Sequence, residues 1–207
     1  MGTSGVPIGS ESVTKADIQA FINECMEDAI STTALALAIK LCLRDLSNFN
    51  FLKATDTSQS LTASDTYLDC PEDYKDIDEI QLTDAEGDLL DPLIAFSGGY
   101  KEYLREMGSS QSNGIPEYYS EYNGKFYIYP PADGTYTVAI AYSKYDSQDE
   151  DNIEFGPEFT NAIKFGACFY YAMMKARSSY INVWGPAYAA EKELRRLNMK
   201  QQPSITE

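Results

Sequence analysis

Carboxylates are the main reactive stock of this 207-residue chain, which carries 32 Asp and Glu and no histidine at all. Paired carboxylates can hydrolyse glycosidic bonds, and clustered ones can ligate calcium. Three clusters come closest: Asp76-Ile77-Asp78-Glu79, Asp146 to Asp151, and Asp84 to Asp88. The first two lack the spaced Asp/Asn-Gly-Glu pattern of a calcium loop. In the third, a tight turn accounts for Gly87. The missing histidine removes the Ser-His-Asp and Cys-His nucleophile arrangements and the histidine-rich metal sites. Cys25, Cys42, Cys70 and Cys168 form no CxxC pair, so free buried thiols are expected rather than a zinc site. Gly98-Gly99 is too short for a phosphate loop. No catalytic, cofactor-binding or metal-binding residue is therefore expected. Which carboxylates come together in space is not written in their spacing, so a carboxylate-based glycan hydrolase stays open as an alternative.

Tyrosine is the other unusual stock, with sixteen copies. Tyr118, Tyr119, Tyr122, Tyr127 and Tyr129 crowd one short stretch. An aromatic β surface can stack on sugar rings, which makes a carbohydrate-binding or adhesin module a second alternative. The plainer reading is packing and subunit contact, where tyrosine supplies a large area with one polar end.

The elements that position these groups follow from periodicity. Thr14-Lys15-Ala16-Asp17 reads as a helix start, with Ile18, Phe21, Ile22, Cys25 and Ala29 at helical spacing. Ser31 opens a second helix carrying Leu35, Ala38, Ile39, Cys42, Leu46 and Phe49 on one face. Residues 54–66 read as loop or edge strand, and Asp76 to Leu82 alternates as a strand does. Tyr100 to Met107 is a short helical stretch. Lys125 to Tyr129 and Thr135 to Tyr142 both alternate, and the intervening Pro130-Pro131-Ala132-Asp133-Gly134 predicts a hairpin between them. A long helix opens at Pro157, apolar over much of its circumference. A last helix beginning at Trp184-Gly185-Pro186 is expected to turn Ala187, Ala190, Leu194 and Leu197 inward. The fold class is α+β: a helical bundle built from the N- and C-terminal helices with a β-rich insertion in the middle. The expected divisions are a flexible arm at 1–12, a bundle from 13–52 and 155–199, an insertion at 53–154, and a flexible tail at 200–207.

The charge is lopsided. The net charge is −16, with +4 from Asn161 onward and −20 before it. An acidic body argues against gripping nucleic acid, which needs clustered Lys and Arg, and suits a wall that DNA passes without sticking. No apolar run approaches the ~20 residues of a membrane span. Met1 to Pro7 has no basic region or apolar core. A soluble protein without membrane association, made in a cytoplasm, is expected.

Two stretches carry a resemblance. Ile115-Pro116-Glu117-Tyr118-Tyr119 followed by Gly124 to Tyr136 and then Tyr142 resembles the phage head-tail adaptor (connector) proteins. Cys70-Pro71-Glu72-Asp73-Tyr74-Lys75-Asp76-Ile77 is similar to that family's leucine-proline-x-aspartate-aromatic element, with Cys70 standing where leucine is usual. The closing helices, Phe159 to Tyr171 and Trp184 to Leu197, also look like the family's end. The resemblance implies a structural virion protein in the neck between capsid and tail. It implies a homo-oligomeric ring, twelve-fold in the family, contacting the portal protein and a tail nozzle or tail-tube protein while genomic DNA passes through unbound. It implies no cofactor and no catalytic residue. Within that frame the basic end of the last helix, Arg195, Arg196, Met199 and Lys200, is the expected portal-docking element.

Overall fold

The computed structural model describes residues 12–108 and 112–200, the side chains of Met199 and Lys200 excepted. The arm before Ser12 and the tail after Lys200 lie outside the described residues. The described residues form α1 (Lys15–Met26), α2 (Thr32–Ser47), α3 (Gly99–Gly108), α4 (Thr160–Met174) and α5 (Ser178–Lys200). The strands are β1 (Lys53–Asp56), β2 (Ser60–Leu61), β3 (Tyr67–Asp69), β4 (Tyr74–Thr83), β5 (Ile94–Ala95), β6 (Tyr118–Tyr122), β7 (Lys125–Tyr129) and β8 (Tyr136–Lys144). The fold is α+β with a β-rich middle. It divides into two compact units, one from residues before Lys53 and after Lys144, the other from Lys53–Lys144.

In the helical unit, α1 starts where its cap chemistry dictates. The Thr14 hydroxyl accepts from the Asp17 backbone N–H at 3.2 Å, and the Asp17 carboxylate accepts from the Thr14 N–H at 3.0 Å. This reciprocal capping box satisfies two otherwise orphaned donors. Ser31 caps α2 by a single bond, its hydroxyl accepting from the Ala34 N–H at 3.3 Å. Ile18, Ile22 and Met26 of α1, and Leu35, Ile39, Leu43 and Leu46 of α2, enter one core with Ile163, Ala167 and Tyr171 of α4. Each such buried aliphatic side chain contributes about 1.5–3 kcal/mol. α4 packs against α1, α2 and α5, which explains its broad apolar circumference.

The last helix differs from its sequence reading. It begins at Ser178, with Pro186 in its interior. Proline offers no N–H to the carbonyl four residues earlier. That carbonyl belongs to Asn182, which is exposed, so water can take the bond.

In the β unit, β8 is the spine of the first sheet. β1 and β2 pair along one side of it and β4 along the other, all antiparallel. The second sheet runs β3-β7-β6-β5, with β5 parallel to β6. The core between them holds Leu61, Leu68, Ile80, Leu82, Phe126, Ile128, Val138 and Ile140. The expected hairpin between β7 and β8 is not there: the two strands belong to different sheets. Pro130 and Pro131 supply no backbone donors to start a ladder, so the chain leaves one sheet and enters the other. The hairpin is β6–β7, turning at Asn123-Gly124 with φ of 51° and 73°. Two positive φ values in succession are what a type I′ turn needs, and Asn-Gly supplies them.

Candidate partner-binding surface

Reactive groups come first, because they decide whether a site is chemical. Among the described residues no group of three or more Cys, Asp or Glu is placed to hold a metal ion. Burial pushes the Cys42 and Cys168 thiols up to about 12 and Cys70 up to about 11. Thiols held that high supply almost no thiolate. Tyr136 and Tyr142 are also pushed up to about 12, by burial and then by donating to Asp133 and Asp73 at 2.5 and 2.7 Å. These groups are fixed in structural bonds.

The tyrosine cluster is brought together by β6, β7 and α3. The register places Tyr118 opposite Tyr129 and Ser120 opposite Tyr127. Tyr127 and Tyr129 therefore share the face that points away from Phe126 and Ile128. α3 packs against these strands, and its own Tyr103 is only 4% exposed. The Tyr100 and Tyr122 rings are stacked 4.2 Å apart at 4°. Tyr127 lies 4.8 Å from Tyr100 and 5.2 Å from Tyr103, and Phe96 lies 5.2 Å from Tyr118. Rings stacked on each other under a helix offer little open face to a sugar. A cleft of about 420 Å³ does remain at the rim, lined by Ile94, Phe96, Glu102, Glu106, Tyr118 and Tyr129. Arg105 already pairs with both of its carboxylates, at 3.2 and 3.0 Å.

The expected docking residues lie on α5. Arg195 pairs with Glu191 at 3.1 Å, and Arg196 grips Glu193 through two bonds of 2.7 and 2.6 Å. These two cations are thus compensated within their own helix, by partners three and four residues back. The side chains of Met199 and Lys200 lie outside the described residues.

The orientation of α5 overturns the inward placement of Ala190, Leu194 and Leu197. The buried anchor is Tyr188, 2% exposed, with Ile181 and Trp184 packed against the same core. Leu194 and Leu197 are each 45% exposed and Val183 is 58% exposed, and Ala190 is exposed as well. Two bonds to Asp45 of α2 fix this rotation: the Tyr188 hydroxyl donates at 2.8 Å and Lys192 Nζ at 2.7 Å. Lys192 also lies over the Tyr188 and Phe49 rings, at 4.5 and 5.1 Å. The two large aromatics bury more area than leucines would, while Lys192 and Arg195 lay their stems along the core and keep their heads in polar contacts. Burial, then the neighbouring Cys42 and Asp45, drives the Tyr188 hydroxyl far above its ordinary range. It is a fixed donor. Periodicity missed this face because α5 carries two interleaved apolar stripes, which spacing alone does not tell apart.

The result is an outward apolar strip on α5, with Val183, Ala190, Leu194 and Leu197 exposed. No helix among the described residues is long and apolar enough to cross a membrane. No curated protein matches the chain. The family described as SU10 adaptor protein matches residues 13–205, a span that takes in both the helical and the β unit. With the helices, the β-rich middle and the outward face of α5 all inside that span, the chain belongs to the SU10 adaptor protein family.

Proposed function

We infer that the chain is a structural component of a phage virion, a head-to-tail adaptor that forms a ring between portal and tail and lines the DNA channel. Membership of a phage adaptor family over nearly the whole chain carries this reading. The charge distribution supports it. The β unit holds six Lys/Arg against seventeen Asp/Glu, a net −11. Acidic walls keep phosphates from sticking during ejection, where basic ones would hold them. The polar segment from Asn198 onward is the proposed portal-docking element. The compensated Arg195 and Arg196 contribute there by shape and bonding rather than as free charge.

Imaging of the virion neck tests the reading. The chain is expected in many symmetric copies directly beneath the portal. A single copy per virion, or a place in the capsid shell, would refute it. Deleting residues 198–207 should weaken binding to isolated portal rings and flatten its salt dependence. The glycan readings predict array binding or turnover of cell-wall substrate by the purified chain. The ring-on-ring packing of the tyrosines favours neither outcome.

A further inference from the structure

Backbone donors and acceptors along the edge of a β-sheet can pair with a strand of another molecule. The second sheet ends in β5 on one side and in β3 on the other. β5 is only two residues long, Ile94–Ala95, and a very short edge strand holds a partner poorly. β3 is longer, and its Tyr67 is 45% exposed. Its register decides which backbone groups face outward. Leu68 is opposite Phe126, the Ile128 N–H donates to the Thr66 carbonyl at 2.9 Å, and the Cys70 N–H donates to the Gly124 carbonyl at 2.9 Å. Thr66, Leu68 and Cys70 therefore bond toward β7. By the alternation of an antiparallel ladder, Tyr67 and Asp69 turn their backbone groups to the outside.

A side chain meets both groups of Asp69. Gln59 Oε1 accepts from the Asp69 N–H at 3.0 Å, and Gln59 Nε2 donates to the Asp69 carbonyl at 2.8 Å. A carboxamide offers the same donor and acceptor as a peptide group, so these are the two bonds that a paired strand residue would make. The second Nε2 hydrogen goes to Asp56 Oδ2 at 2.9 Å, and Asp56 is itself held by the Ser58 N–H at 2.8 Å. The backbone of Gln59 belongs to the other sheet. Its carbonyl accepts from the Val138 N–H of β8 at 3.2 Å, and the next residue, Ser60, pairs with Thr137. Gln59 is thus anchored on the first sheet and lays its side chain along the edge of the second.

We propose that Gln59 is an edge guard: its carboxamide occupies the place on β3 that a strand from another copy of this chain would take, and so keeps β units from joining sheet to sheet. A strand arriving at β3 must first break the two bonds to Asp69 and the one to Asp56. The guard has most to do where copies are crowded together, as in the ring inferred above. It acts in the free chain as well, so it holds whether or not copies form a ring.

Gln59→Ala and Gln59→Glu separate guarding from stability. Both remove the two Nε2 bonds. Alanine opens the outward groups of Asp69, whereas glutamate sets a charge on the edge, which blocks pairing by another route. Glutamate also faces the Asp56 carboxylate and the Asp69 carbonyl, so its thermal midpoint should fall at least as far. The full chain, without portal, is followed by sedimentation velocity over a dilution series. Gln59→Ala is expected to associate at a concentration about tenfold or more below wild type, and to gain the infrared band of intermolecular strands. Gln59→Glu should sediment as wild type does despite its lower midpoint. Association of both variants in step with their lost stability, or of neither, overturns the proposal. Hydrogen exchange of the unaltered chain gives a second reading: the outward Asp69 amide should be protected as well as the Leu68 amide inside the ladder. Fast exchange at Asp69 would mean that Gln59 does not hold the edge, and the proposal falls.

Discussion

The helical unit and the β unit differ in charge and in how they pack their aromatic rings. The β unit is strongly acidic outside, and it spends its aromatic rings on one another beneath α3. The helical unit, with ten Lys/Arg against fifteen Asp/Glu, is only −5, and it buries Tyr188 and Tyr171 in a largely aliphatic core, while both units leave some large aliphatic side chains outside. Abundance of a residue type is therefore a poor guide to where a partner binds. Sixteen tyrosines left a sugar-binding surface open as an alternative to packing, and in the β unit most of that area is internal. The uncovered apolar area on α5 includes Ala190, Leu194 and Leu197, which were expected to face inward. What remains outside after packing is the informative quantity.

The largest effect expected from this contrast is in the β core. Phe126 is fully buried, with Tyr74 and Tyr119 edge-on to its ring at 5.3 and 6.0 Å. Phe126→Ala should cost about 3–5 kcal/mol. Tyr122→Ala, at a ring 52% exposed, should cost less than about 1 kcal/mol. Hydrogen exchange of the β8 amides reads both changes. Equal losses would mean that the tyrosine layer, and not the core between the sheets, holds the β unit together.

A tighter test lies at the α2–α4–α5 contact in the helical unit. A Cβ added at Gly166 would meet the Cys42 sulfur and come within 2.8 Å of the Tyr188 ring. Gly166→Ala gains about 1 kcal/mol of helix propensity. Overpacking beside a Tyr188 that is bonded in place costs about 1–3 kcal/mol. Net destabilisation is expected, read by Trp184, the chain's single tryptophan, which lies 5.7 Å from Phe21. Stabilisation would show that Tyr188 is free to move, and that α5 is not locked in its observed rotation.

Much of the fold was legible because local chemistry and tertiary structure agree in the helices. Thr14 with Asp17, and Ser31 before Thr32, mark helix starts that no packing had to override. The order of helices, strands and helices followed directly, and so did an α+β class. The β unit was harder, since alternation says which strands exist and not which ones pair. Asn123-Gly124 was the true hairpin signal, and it lay beside a Pro-Pro-x-Asp-Gly stretch that mimics one. On α5 the spacing fits two stripes equally well. Only Asp45, some 140 residues away in sequence, chooses between them through Tyr188 and Lys192.

That choice can be tested directly. Asp45→Ala leaves the Tyr188 hydroxyl and the Lys192 ammonium without their acceptor, in a site where both are largely buried. Loss of a buried bonded partner costs about 1–3 kcal/mol. The Trp184 signal should broaden as α5 samples other rotations. A loss below about 0.5 kcal/mol, with sharp fluorescence, would assign the rotation of α5 to Trp184 and Tyr188 packing alone.

The smallest expected effect separates the two units by how they hold a carboxylate. Asp28, in the helical unit, accepts from the Tyr171 hydroxyl at 2.8 Å and from Arg177 at 2.9 Å. The tyrosine bond first and the guanidinium second hold its carboxyl below the ordinary range. Asp56, in the β unit, is also held low, but only by neutral donors: Gln59 at 2.9 Å and the Ser58 group, whose N–H lies at 2.8 Å. In both cases the folded protein binds the proton less readily than the unfolded chain. The stabilisation is therefore fully present above the ordinary value near ~4 and disappears as pH falls through the lower folded value. Asp28→Asn and Asp56→Asn should each differ from wild type at pH 7 by an amount that holds to about pH 5 and shrinks below about 4. Salt should distinguish them. At roughly 1 M ionic strength the screening length is about 3 Å, which weakens the contribution of Arg177 to Asp28 and leaves the neutral donors of Asp56 as they were. Thermal midpoints of the two variants and wild type, measured against pH at low and high salt, provide the comparison. Equal salt sensitivity at the two sites would mean that Arg177 contributes nothing to Asp28 beyond what a neutral donor would.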